Sequence, residues 1–188
     1  MSSPGSESES GSGSGSESGS GAEVRAAPVR IRPATPADVG LIHSLIVELA
    51  VYEKAPEAVT GTPELLADAL FGSHPSAEAL IAEVGGEPAG FAVFYRTFST
   101  WECRAGIWLE DLFVPERLRR AGVGGALLRH LARVTVERGY TRLEWNALDW
   151  NSPALDFYAK LGAERLSAWE LHRLDGQQLR KVAGLSES

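Results

Sequence analysis

The stretch Arg119-Arg120-Ala121-Gly122-Val123-Gly124-Gly125 separates two segments of opposite character. Before it, residues 107–114 (IWLEDLFV) form a largely apolar run closed by Pro115, which reads as a strand. After it, Leu127, Leu128, Leu131 and Val134 recur at helical spacing within 123–138, and Gly139 closes that helix. Glycines at a helix start let backbone N–H groups approach an anion closely, and the helix dipole and the two arginines add positive charge. In physical terms the turn is a pyrophosphate cradle. It lacks the Lys-Ser/Thr ending of a nucleotide P-loop. It also departs from the dinucleotide fingerprint: its glycines lie several residues beyond the strand, and no βαβ unit opens the chain. Taken alone, the turn reads equally well as a helix start flanked by solvated arginines.

Residues 29–33 (VRIRP) alternate like a half-buried strand. Thr35-Pro36 with Asp38 opens a helix carrying Val39, Ile42, Ile46 and Leu49, which ends at Tyr52-Glu53 before Pro56. Thr62-Pro63 opens a second helix with Leu65, Leu66, Ala69 and Leu70 as its inner face. Residues 80–84 and 89–94 flank Gly85-Gly86-Glu87 as a hairpin. Residues 142–147 read as a strand, 151–160 as a helix stopped by Gly162, and 166–174 as a final strand, with a short element after Gly176. The order β-α-α-β-β-β-α-β-α-β predicts an α/β fold with a mixed sheet.

Residues 1–28 are Ser, Gly and Glu with little apolar content, which predicts a disordered tail before a single domain over 29–188. The net charge is −7, and the tail accounts for less than half of it. An acidic domain suits a cationic ligand better than nucleic acid, which requires clustered Lys and Arg. Cys103 is the only cysteine, and His43, His74, His130 and His172 lie far apart, so neither a disulfide nor a metal site is expected. No apolar run is long enough to span a membrane and no secretory signal pattern is present, so the expected location is cytoplasmic.

A second block changes the weight of the glycine turn. Residues 151–163 (NSPALDFYAKLGA) resemble the N-x-x-A-x-x-F-Y-x-x-x-G-F/A block of the GNAT N-acetyltransferase superfamily, and R-x-x-G-x-G over Arg119–Gly124 resembles its acetyl-CoA motif. The two blocks stand in the family's order and spacing. The opening IRPAT, the pair Tyr52-Glu53 and the stretch 109–114 (LEDLFV) are similar to the diamine (spermidine/spermine) and thialysine acetyltransferase branch. The resemblance covers everything but the tail.

It implies a GNAT fold, in which a V-shaped gap between two parallel strands, here 107–114 and 142–147, admits the pantetheine arm of acetyl-CoA. Backbone groups of Leu112, Phe113 and Val114 would bond that arm, and one N–H there would polarise the thioester carbonyl. The turn from Arg119 through Arg120, Ala121, Gly122, Val123 and Gly124 to Gly125 would hold the pyrophosphate. Asn151 and Ala154 would contact the cofactor at the next helix start, where Asn151 also reads simply as an N-cap. Tyr158 would be the general acid for the departing thiolate. Glu110 would bind the amine and help deprotonate it. Asp111 is either a second substrate contact or a structural group. Successive residues of an unbroken strand point to opposite faces, so Glu110 and Asp111 are expected in different layers. Tyr52, Glu53, Trp101 and Trp169 would line the amine site, the aromatic faces holding an ammonium.

Two departures matter. Thr97-Phe98-Ser99-Thr100 lacks the acid that polyamine acetyltransferases carry there, and the stretch before Trp169 is shorter than in that branch. Fewer carboxylates favour a short diamine or a lysine-like amino acid such as thialysine over a long polyamine. The branch implies a homodimer and direct transfer in a ternary complex. Peptide or protein N-acetylation, and non-catalytic sensing of acyl-CoA, stay open as alternatives.

Overall fold

A computed structural model describes residues 27–185, so the expected tail falls almost wholly outside the described residues. Five strands, β1 (Val29–Pro33), β2 (Glu78–Val84), β3 (Glu87–Ser99), β4 (Arg104–Phe113) and β5 (Leu143–Trp145), lie in one sheet in chain order. The first four pair antiparallel, and β5 joins β4 in parallel. Helices α1 (Val39–Tyr52) and α2 (Pro63–Phe71) cover one face, α3 (Val123–Glu137) covers the other, and α4 (Ser152–Lys160) and α5 (Gly176–Val182) follow.

Alternation along β3 feeds both layers. Phe91 and Val93 pack with Ile42, Leu45 and Leu70 of α1 and α2, while Ala92 and Phe94 pack with Leu127, Leu128 and Leu131 of α3. The β1–α1 corner is fixed by charge. Arg32 donates both Nη groups to the Asp38 carboxylate at 2.7 and 2.8 Å and its Nε to Glu83 at 2.6 Å. Thr35 is the N-cap of the first turn, Pro36–Asp38, in a capping box with Asp38, and its hydroxyl and amide both donate to that carboxylate, at 2.8 and 2.7 Å. Leu65, expected on the inner face of α2, is exposed, and Leu70 is the buried residue of that helix.

The expected final strand over 166–174 does not form, so the order closes in two helices instead of helix and strand. Its apolar residues Leu166, Trp169, Leu171 and Leu174 are spaced three, two and three apart, so no single strand face is apolar. β5 offers only three residues beside β4, and all four of these side chains stay exposed. Among the described residues, no helix is long and apolar enough to cross a membrane.

Candidate active site

The site grows from one irregularity in β4. Val93 pairs with Asp111 and Phe94 with Leu109, so Glu110 is an extra residue with no partner on β3. A bulge of this kind bends its strand and shifts the side-chain alternation by one. Ile107 and Leu109 face α3 before it, and Leu112 and Val114 face α3 after it. Glu110 and Asp111 therefore share the α1 side, whereas strict alternation predicts opposite layers.

The same residue opens the sheet. Pairing of β4 with β5 runs only from Ile107–Leu143 to Leu109–Trp145, stopping at the residue before the bulge. Beyond it, Leu112 and Phe113 stay bonded to β3 on one edge, and among the described residues no strand covers the other. β3 runs so close below that a Cβ on Gly90 would lie 2.7 Å from the Phe113 carbonyl oxygen, which only glycine permits.

The glycine turn lies past this open edge. Gly122 caps α3 in the left-handed region at φ 79° and provides no side-chain bond to the helix start. The first intrahelical bond joins the Ala126 N–H to the Gly122 carbonyl, so the amides of Val123, Gly124 and Gly125 have no partner inside the helix. Val123 is buried and anchors the turn in the core, whereas Arg119, Arg120 and Ala121 are exposed. Three free amides, a helix dipole and two exposed guanidiniums fit a pyrophosphate. Arg119 donates Nε to the Val114 carbonyl at 3.2 Å.

Tyr158 on α4 is half-buried against Trp145, ring centroids 5.0 Å apart, and against Phe157 at 5.3 Å. Trp145 is the last residue of β5 paired to β4, so the phenol stands beside the point where the strands part. Burial pushes its pKa up, keeping the proton on the oxygen. Asn151 caps α4, accepting the Ala154 amide on Oδ1 at 3.4 Å, and the Tyr52 hydroxyl donates to the same oxygen at 3.1 Å. The Ala154 amide is thus already engaged.

The acids gather at the end of α1. Burial pushes the Asp111 pKa up to about 6, and the charges of Glu110 and Glu53 add to the rise. Burial also raises Glu53. Glu110 accepts the Trp108 indole N–H at 3.0 Å. Tyr95, which pairs with Trp108 across the ladder, is raised by burial and then by Glu110. Trp108 and Tyr95 were not among the expected site residues. The i, i+2 spacing of Trp108 and Glu110 on one strand face was the available signal. Among the described residues, no three His, Cys, Asp or Glu side chains are placed to hold a metal ion.

Trp101 and Trp169 do meet, with ring centroids 6.2 Å apart, but both are largely exposed. Trp101 sits in the turn before β4, and the strand from Arg104 to Glu110 spans about 20 Å at ~3.3 Å per residue. Within one chain the tryptophan pair and the carboxylates are therefore separate. A 280 Å³ hollow at the β1 edge, lined by Val29, Ile31, Ala126, Arg129, His130 and Arg133, holds none of these residues.

Comparisons with known proteins point to one family. Residues 42–163 match the Acetyltransferase (GNAT) family. The chain is 37% identical over 167 residues to thialysine N-epsilon-acetyltransferase of Bos taurus, covering 83% of this chain and 98% of that one. It is 30% identical to an L-ornithine N5-acetyltransferase of Arabidopsis thaliana, covering 84% of this chain and 89% of that one. An integron cassette protein from the mobile metagenome of V. cholerae superposes with a TM-score of 0.70 at 27% identity, covering 82% of this chain and 97% of that chain.

Proposed function

This chain belongs to the GNAT acetyltransferase family and is an N-acetyltransferase with acetyl-CoA as its donor, and we propose that its acceptor is a short diamine or a lysine-like amino acid. The observation that carries the acceptor is the bulge at Glu110. It sets two carboxylates on one face, facing Glu53, where a small cation with one free amine can be held. The missing acid over 97–100 supports a short acceptor. Glu102, in the turn just after, already accepts the Thr141 hydroxyl. Relatives that act on thialysine and ornithine point the same way.

Bound acetyl-CoA supplies an activated acetyl group. The open edge of β4 at Leu112 and Phe113, with Val114 just beyond, would bond the pantetheine arm, and a backbone N–H there would polarise the thioester carbonyl. The amides of Val123, Gly124 and Gly125, with Arg119 and Arg120, would hold the pyrophosphate. Glu110 takes the proton that the ammonium must lose before its nitrogen can attack, and Glu53 and Asp111 hold the cation. Tyr158 would give its proton to the leaving thiolate and recover one from the attacking nitrogen, which sheds a second proton to become the amide. Trp101 and Trp169, about 20 Å along β4 from these carboxylates, do not reach a short acceptor within one chain.

The exposed Leu166, Trp169, Leu171, Leu174 and Val182 favour a homodimer in which a second copy covers them. Light scattering giving the mass of one chain would sink that. The need for acetyl-CoA supports a cytoplasmic location.

The test is thiol release from acetyl-CoA across putrescine, spermidine, spermine, thialysine, ornithine and lysine. We expect one short amine to dominate, with Glu110→Gln lowering kcat/KM by roughly 10²-fold or more and Tyr158→Phe lowering kcat by roughly tenfold or more. Turnover only with peptides would move the acceptor to proteins, and cofactor binding without turnover would indicate a sensor.

A further inference from the structure

Among the described residues, Tyr52 is the one side chain that joins α1 to both walls of the cofactor cleft. The Arg119 guanidinium lies over its ring, 4.3 Å from the centroid. Its hydroxyl donates to Asn151 Oδ1 at 3.1 Å, across 99 residues of sequence. Its ring also leans on Trp150 at 6.1 Å. Arg119 in turn donates to the Val114 carbonyl at the end of β4, and Asn151 caps α4.

The chemistry of the Arg119 contact is informative. The neighbouring Arg117 pairs with Glu48 at 3.9 Å, but among the described residues no carboxylate forms an ion pair with Arg119. A carboxylate would fix the guanidinium and cancel its charge. An aromatic face fixes it through the ring quadrupole and leaves the charge free for an anion. The hydroxyl does the complementary work on α4, orienting Asn151 while the asparagine still caps the helix. Both groups of Tyr52 that a substrate could meet are therefore already engaged with residues of the cofactor walls.

We propose that Tyr52 is a positioning residue for acetyl-CoA: it holds Arg119 and Asn151 in place, so donor affinity depends on the same helix end that carries Glu53 to the amine. This rests on reading the 119–125 turn as the pyrophosphate cradle. It differs from the role that family resemblance implies, a direct contact with the amine.

The test is coenzyme A affinity by calorimetry, with no amine present, alongside the amine KM at saturating acetyl-CoA. Tyr52→Leu should weaken coenzyme A about tenfold, and Tyr52→Phe, which keeps the ring, about threefold. The amine KM should stay within about twofold in both, a split that general loosening of the fold does not produce. In an Arg119→Gln background, Tyr52→Leu should cost only about threefold, the share carried by the hydroxyl on Asn151, since the ring acts through the guanidinium. Coenzyme A affinity unchanged in Tyr52→Leu with a raised amine KM would overturn the proposal, as would fully additive losses with Arg119→Gln. If Tyr52→Leu does not fold, the Tyr52→Phe and Asn151→Ala pair gives the same decision, non-additive losses supporting the proposal and additive ones overturning it. A wild-type chain that fails to bind coenzyme A would overturn the cradle itself, whereas binding that ignores Tyr52 overturns only this inference.

Discussion

Two groups of carboxylates stand on the α1 side of this molecule, and they are treated in opposite ways. At the β1–α1 corner, both oxygens of Asp38 are taken by Arg32, and Thr35 adds two further donors. That bidentate pair, the leading cause, holds the Asp38 carboxyl far below its usual range despite burial. At the bulge, Asp111 is half-buried with Glu110 and Glu53 as its charged neighbours, and it is pushed up instead. The first group is complete within the chain. Among the described residues the second forms no ion pair, and an ammonium substrate is the group that would supply a cation. Buried charge without a partner is costly, so a fold retains it where a ligand offsets the cost.

The contrast breaks first at Asp38. Asp38→Ala leaves Arg32 with only Glu83 and should cost about 2–3 kcal/mol in urea unfolding at pH 7. Because the folded value is depressed, this stability is present above the ordinary carboxylate range near pH 4 and is lost as pH falls below it. A loss under about 0.5 kcal/mol would place this pair with ordinary surface ion pairs and remove the contrast.

Asp111 should behave with the opposite sign. Its value rises from 3.8 to about 6 on folding, so the folded state binds the extra proton. Stability contributed by the protonated form is full below pH 4 and is lost as pH rises through 6. Asp111→Asn should therefore stabilise the free enzyme by about 1–2 kcal/mol at pH 8 and change little at pH 4. The same variant should raise the amine KM, and in the wild type that KM should rise as pH drops below about 6. Destabilisation at pH 8 would show that Asp111 is a structural group.

Which of these groups was legible in the sequence follows from what fixes each. The hairpin over 80–94, the Arg119–Gly125 turn and the Asn151 cap are local patterns, and the structure keeps them. The bulge is not local. It exists because β4 must meet the register of β3 at Val93 and Phe94, a constraint set by the opposite strand. Strict alternation therefore separated Glu110 from Asp111, and the expected strand over 142–147 proved to be three residues long, since β4 bends away after Leu109. The expected strand over 166–174 failed for a related reason: β-propensity needs a partner edge, and β5 presents almost none.

The smallest effect concerns how Glu110 is held. Each oxygen of Asp38 has a charged donor, whereas Glu110 has the neutral indole of Trp108 at 3.0 Å and the nearby phenol of Tyr95. Neutral donors orient a carboxylate without cancelling its charge, which a proton acceptor for an ammonium requires. Trp108→Phe keeps most of the ring surface and deletes only the N–H donor. Exposure of the bond limits its worth, so kcat/KM for the amine should fall about threefold, with coenzyme A affinity unchanged. A fall beyond about 30-fold would make the indole a principal determinant of the Glu110 position, and no change would leave Tyr95 as its sole support. Either result refines the proposed distinction, in which Asp38, held by a cation, serves the fold and Glu110, held by neutral donors, serves the chemistry.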